Sequence, residues 1–170
     1  MRLSQGVEWA VHACTVLGAA APGRGLSLAA LAEYHGVPAP YMAKQMQLLS
    51  KTGLVRTSRG KTGGYALARA PDTITLWDVT AAIDGPAPLF RCTEIRQRGP
   101  CAARREDCRS PCHIAAAFAA AEEAWRSALR AVTIADIAAG VLRDSRPEHV
   151  MEAVAWLGEN LTDLPGAPVG

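Results

Sequence analysis

A mainly α-helical protein with a small β-wing, a winged helix-turn-helix joined to a long dimerisation helix, is what the sequence predicts, on three observations. Between Val37 and Tyr65 a short helix bearing Tyr41, Lys44, Gln45, Gln47 and Lys51 stops at Gly53. A strand, the turn Arg59-Gly60-Lys61-Thr62-Gly63-Gly64 and a second strand follow. Side chains on such a helix can reach base edges in a major groove, and a basic turn can lie against the backbone or a minor groove. From Ile114 the apolar residues Phe118, Ala121, Trp125, Leu129 and Val132 step by 4, 3, 4, 4 and 3, a narrow seam suited to pairing with its twin in a two-fold dimer. Charge is unevenly shared: residues 1–70 hold eight Lys/Arg against Glu8 and Glu33, whereas residues 111–170 hold four Arg against eight Asp/Glu. The basic half is the half that suits a phosphate backbone.

In chain order, Ser4 can cap a helix to about Ala19 with Leu3, Val7, Ala10, Val11, Cys14 and Leu17 on its core face. Glu8 and His12 lie about 40° apart on the opposite face, with Trp9 at the margin. Spacing alone reads Glu8 and His12 as an exposed i,i+4 pair, and Cys14 as a small core residue. A Pro/Gly loop leads to Ser27, the cap of a second helix that Gly36 stops, and Pro38 and Pro40 turn the chain into the recognition helix. Leu28, Leu31 and Ala32 meet Met42, Met46 and Leu49 in an apolar seam. Leu54–Thr57 and Tyr65–Ala68 read as the wing strands, with Gly63-Gly64 permitting a positive φ at the tip. Thr75 caps a helix facing Leu76, Val79 and Ile83 inward, ended by Gly85-Pro86. Thr133 caps a short helix through Leu142, and one more amphipathic segment, Val150 to Leu157, precedes a frayed tail from Leu164.

The stretch from Arg91 to His113 differs. It holds four cysteines and six arginines with almost no apolar periodicity, so burial cannot hold its shape and a metal or cluster is the economical tie. The organisation expected is a DNA-binding domain at 1–85, a cysteine-rich cluster-binding loop at 86–113, the dimerisation helix and a following short helix at 114–143, and a partly flexible C-terminal extension at 144–170.

With 170 residues and 49% hydrophobic content, the chain suits one core plus a dimerisation element. No apolar run reaches the roughly 20 residues of a membrane span, and the opening MRLSQGVEW lacks a signal-peptide core, so a cytoplasmic protein is expected. In that compartment Cys14, Cys92, Cys101, Cys108 and Cys112 read as ligands or redox sensors before structural disulfides. An enzyme reading has only the adjacent Cys112-His113, without an acid or oxyanion element, and no enzyme is expected.

The opening MRLSQGVEWA, the block PAPYMAKQMQLLSKTGLVRTSRGKTGGYALAR, the helix ITLWDVTAAIDG and the cysteine loop together resemble the bacterial winged-helix repressors that include the iron-sulfur cluster regulator and the nitric-oxide-sensing repressor. The match spans about Met1 to Ala139 and is nearest to the redox-sensing branch, the actinobacterial redox-sensitive response regulator. That resemblance implies a homodimer on a pseudo-palindromic double-stranded operator, with Tyr41, Lys44, Gln45 and Lys51 meeting DNA from the recognition helix and Arg59 and Lys61 from the wing. It also implies an iron-sulfur cluster that controls DNA affinity, and in that branch Glu8, Trp9 and His12 work with cysteines of the loop.

Members of the family commonly use three near-regularly spaced loop cysteines, whereas the spacings here are 9, 7 and 4. Imidazole can replace thiolate on a two-iron cluster. The ligand set expected from the resemblance and this chemistry is Cys108 and Cys112 of one subunit with Glu8 and His12 of the other, one 2Fe-2S cluster per monomer and two per dimer, with Trp9 as the switch. Cys92, Cys101 and His113 stay as alternative ligands, and nitric oxide or cluster status as alternative signals. A four-thiolate zinc staple and a thiol–disulfide switch are the rival chemistries.

Overall fold

The computed structural model describes residues 2–58, 60 and 63–164. Its elements are α1 (Gln5–Gly18), β1 (Arg24–Gly25), α2 (Leu28–His35), α3 (Ala39–Lys51), β2 (Val55–Ser58), β3 (Gly64–Leu67), α4 (Leu76–Asp84), α5 (His113–Arg130), α6 (Ile134–Asp144), α7 (Pro147–Asn160) and β4 (Thr162–Asp163). No described helix is long and apolar enough to cross a membrane.

The core forms where the apolar stripes of α1, α2 and α3 meet. Ala10, Ala13, Cys14 and Leu17 of α1 are buried against Leu31 of α2 and Met42, Met46 and Leu49 of α3, and Val7 is buried on the same helix. Ser27 caps α2 by accepting from the Ala30 N–H, and Gly36 ends it at φ 61°, a left-handed conformation that glycine adopts without strain. Leu3 lies outside α1 and is 41% exposed. Ser4 makes no capping bond. Its hydroxyl and N–H instead donate to the Asp84 carboxylate at 2.5 and 2.9 Å, tying the start of α1 to the end of α4.

α4 and α6 begin side by side through matching Thr-x-x-Asp capping boxes at Thr75/Asp78 and Thr133/Asp136. Between them, Leu76 N–H donates to Val132 O at 2.9 Å and Ile134 N–H to Ile74 O at 2.9 Å. Ile74, Val79 and Ile134 close the core there.

β2 and β3 pair antiparallel with Val55 opposite Leu67 and Ser58 opposite Gly64. The glycines of the turn act differently from expectation. Gly60 carries the positive φ, 113°, while Gly64 sits in β3 because a Cβ there would lie 2.6 Å from Leu26 O. That close approach lets Leu26 and Tyr65 exchange two backbone hydrogen bonds, 3.0 and 2.8 Å, joining β1 to the wing.

The C-terminal segment is the largest departure. β4 pairs antiparallel with β1, Leu164 N–H donates to Gly23 O at 2.7 Å, and Leu164 is buried rather than frayed. Arg24 donates to Leu161 O at 2.6 Å, and Trp156 of α7 packs on Tyr34 of α2 at 5.0 Å. The described part of the 144–170 extension, expected to be partly flexible, therefore returns to the first domain and extends the wing's hydrogen-bonded edge. The expected tail beyond Leu164 lies outside the described residues.

Candidate nucleic-acid interface and metal site

Along α3 the burial pattern separates two faces. Met42, Gln45, Met46 and Leu49 turn inward, while Tyr41, Lys44, Gln47 and Lys51 are exposed, Tyr41 at 57%. Three of the four expected recognition-helix residues thus stand on one solvent face with no acidic side chain in the first turn. Gln45 does not. It is 4% exposed, its amide lies under Gly6 of α1, and a Cβ on Gly6 would come within 2.8 Å of its Oε1. The Gln45 Nε2 donates to Tyr41 O at 3.3 Å, and the buried Oε1 has no partner among the described residues. In this arrangement Gln45 is a packing residue and cannot extend to a base edge. Its position, three after Met42 and four before Leu49, was the signal, because i, i+3, i+4, i+7 marks one helix face.

Arg59 and Lys61, the expected wing contacts, lie outside the described residues. Around them, Arg56 is half-buried on β2, and Arg69 just after β3 pairs with Asp78 at 3.4 Å.

The expected ligands fall in two places. Glu8 and His12 are both exposed on α1, one helical turn apart. They border an open groove of about 1190 Å³ walled by Trp77 of α4 and Trp125 and Leu129 of α5. Trp9 between them is half-buried with its ring tilted 60° to that of Tyr41, centroids 5.7 Å apart, so the first helix touches the reader through this pair. On the other side His12 faces His35 at 5.8 Å. Burial first, then the neighbouring His12, lowers His35 to about 4, and its buried Nε2 has no hydrogen-bond partner among the described residues.

Cys108 and Cys112 are half-buried at the entry to α5, and all five cysteines are free. Cys112 is the N-cap residue of α5 and makes no capping hydrogen bond of good geometry. The N–H groups of Ala115 and then Ile114 nevertheless hold its thiol below the ordinary value, with the Arg96 charge assisting. Cys14 is the opposite case: burial pushes it up to about 12, which leaves an inert core thiol.

Among the described residues, no three His, Cys, Asp or Glu side chains of one chain gather as a metal site. The four loop cysteines therefore do not form a four-thiolate set in this structure. Within this chain Cys108 and Cys112 of the loop, and Glu8 and His12 of α1, remain two separate pairs of side chains, each of a type able to ligate iron.

α5 has the form the seam predicts and buries none of its residues in the single chain. Ile114 and Phe118 are 60% and 52% exposed, although Phe118 stacks on Phe90 at 4.5 Å. Lower on the helix, Trp125 meets Trp77 edge-on at 5.8 Å, and the Arg126 guanidinium lies 4.6 Å from the Trp77 ring. Arg126 pairs with Glu122 and donates to Pro86 O at 2.9 Å, while Glu122 accepts from Leu89 N–H at 3.0 Å. This junction was not legible in sequence, since its partners come from three separate segments.

A family model described as Rrf2, iron-dependent transcriptional regulator, matches residues 3–140. The HTH-type transcriptional regulator Rv1287 of Mycobacterium tuberculosis is 34% identical over 155 residues, covering 89% of this chain and 88% of that protein. Among solved structures, CymR (YrzC), the global cysteine regulator of B. subtilis, superposes with a TM-score of 0.60 at 21% identity, covering 82% of this chain and 97% of the other. T. potens IscR gives 0.60 at 21% identity over 89% of this chain and 96% of its own. These two structures share the fold.

Proposed function

Because the chain belongs to the Rrf2 family of DNA-binding transcriptional regulators, we propose that it is a cytoplasmic homodimeric repressor whose affinity for a pseudo-palindromic duplex operator follows the redox state of a 2Fe-2S cluster at the dimer interface. The observation that carries this reading is the split donor set. Cys108 and Cys112 lie at the start of a helix with unburied apolar residues, and Glu8 and His12 point away from their own core beside the groove that the same helix walls. Each half is incomplete alone, and a two-fold dimer through α5 supplies the other.

In this reading, residues 1–85 read DNA, 86–113 and the outer face of α1 sense, and 114–143 pair the subunits. Residues 144–164 brace the wing from behind. Tyr41, Lys44 and Lys51 meet the duplex from α3, and Arg59 and Lys61 from the wing. A cluster held by Cys108, Cys112, Glu8 and His12 would supply one-electron chemistry, and imidazole ligation would raise its potential. Glu8 and His12 share a helical turn with Trp9, and Trp9 bears on Tyr41 at the DNA-facing side of α3, so a change of charge at those two ligands would be felt there. A small rotation of α3 relative to its twin changes the spacing of two recognition helices, which a duplex tolerates poorly.

Complementation between two ligand-deficient chains tests the split site. Glu8→Ala/His12→Ala and Cys108→Ala/Cys112→Ala are each expected to purify anaerobically without iron. Mixed and exchanged, the two are expected to restore one loaded site per heterodimer, seen by absorption and by electron paramagnetic resonance after reduction. Iron retained by either homodimer, or none in the heterodimer, would overturn the assignment. Trp9→Ala is expected to keep the cluster and lose the difference in DNA affinity between redox states.

A further inference from the structure

The cysteine loop has no apolar core, yet its two ends are joined by polar contacts that converge on one guanidinium. Glu94 has the only positive φ of a non-glycine residue among those described, 51°, and its N–H donates to Cys92 Sγ at 3.4 Å. Its carboxylate accepts from the Cys92 thiol at 3.7 Å and from Arg96 Nε at 2.7 Å. The guanidinium also reaches across the loop: Nη2, which donates to Glu94 Oε1 at 3.4 Å, donates to Ser110 O at 2.6 Å, two residues from both Cys108 and Cys112. Ala103 N–H donates to Arg96 O at 2.9 Å and pins the same residue from the loop's middle. A left-handed residue outside glycine persists only where its surroundings over-determine it, and this clasp does so.

We propose that Arg96, clamped by Glu94, is a positioning residue for the Cys108/Cys112 thiolate pair: it fixes the Ser110-Pro111 turn between the two sulfurs and places a permanent positive charge beside them. This deepens the cluster reading above and rests on it. A planar guanidinium can make the two separate contacts at once, which an ammonium cannot reproduce with the same geometry.

The charge sets a direction. Reduction adds negative charge, so a nearby cation favours the reduced form and a nearby carboxylate opposes it. Arg96→Gln is expected to lower the ratio of reduced to oxidised protein about tenfold at a fixed applied potential, a shift of about 59 mV to more negative values for a one-electron couple. Glu94→Gln removes the opposing carboxylate charge while the contacts to Ser110 O and from Ala103 N–H still hold Arg96 in place, and a shift of opposite sign is expected. Both variants are expected to lose iron to a chelator several-fold faster than wild type. Arg96→Lys restores most of the potential and little of the retention, separating charge from positioning.

The measurement is a spectroscopic redox titration of the anaerobically purified full chain and the three variants, with chelator-driven bleaching and apo-protein melting recorded alongside. Where Arg96→Gln does not load, Glu94→Gln carries the test. Wild-type protein that binds no iron would remove the cluster reading and this role together. Loaded wild type with variants of unchanged potential and retention, or with Arg96→Gln and Glu94→Gln shifting the same way, would overturn the Arg96 role alone.

Discussion

Replacing Gly64 by alanine probes the junction between the wing and the returning C-terminal strand. The new Cβ would stand 2.6 Å from Leu26 O, 2.9 Å from Leu26 C and 3.3 Å from Ser27 N. These are backbone atoms, so no side-chain rotation relieves the overlap, and β1 must move by several tenths of an ångström. Overpacking of this kind costs roughly 1–3 kcal/mol. The two Leu26–Tyr65 hydrogen bonds, 3.0 and 2.8 Å, stretch with it, at about 1 kcal/mol each. Reduced freedom of the unfolded chain offsets about 0.4–1 kcal/mol. The net expectation is a loss of about 2–3 kcal/mol in urea unfolding at fixed protein concentration. Weaker salt-dependent binding to a mixed-sequence duplex should accompany it, because the wing loses its brace. Gly158→Ala is the control: nothing lies within 4 Å of the added carbon in α7, and a gain of up to about 1 kcal/mol is expected from helix propensity. A Gly64→Ala protein within 0.5 kcal/mol of wild type, with unchanged DNA affinity, would refute the reasoning.

Further expectations follow from the same contacts. Gln45→Met removes a buried amide whose Oε1 is unpaired, so stability should rise by about 1 kcal/mol with DNA affinity unchanged. Lys44→Ala should leave stability unchanged and flatten the slope of log affinity against log salt by about one; a Gln45→Met protein that loses DNA affinity would contradict this division of α3. Breaking the half-buried Glu122–Arg126 pair from either side should cost about 3 kcal/mol, and the Glu122→Leu/Arg126→Leu double variant less than the sum, as a double-mutant cycle by denaturation would show. In the metal-free native protein at pH 7, iodoacetamide should modify Cys112 before Cys14. Cys112 reactivity should rise with pH through a value below the ordinary thiol pKa, whereas Cys14 should react only after unfolding, as peptide mass spectrometry can follow.

Much of the reader was legible because its signals are local. Glycine stops at Gly36, Gly53 and Gly85, Thr-x-x-Asp caps at Thr75 and Thr133, and the apolar seam of α2 and α3 all act within a few residues of where they stand. Gln45 was misplaced because residue type outweighed position: an amide suggests a base edge, yet its place in the Met42, Met46, Leu49 stripe put it under Gly6. The outward Glu8 and His12 followed from helical period alone, and the exposed upper part of the α5 seam followed from its narrow spacing.

By itself, the sequence determined the winged-helix order, the polarity of charge along the chain, the outward face that carries Glu8 and His12, and the apolar-poor loop that carries Cys108 and Cys112. Local rules of capping, periodicity and turn chemistry suffice for these, since each depends on neighbours in the chain. Tertiary structure alone decided which contacts join distant segments. It folded β4 back onto β1, set Trp9 against Tyr41, and closed the cysteine loop through Arg96 between Glu94 and Ser110. Such contacts leave no periodic trace, because they depend on the close approach of backbones and on the few directions in which a carboxylate, a carbonyl and a guanidinium fit together.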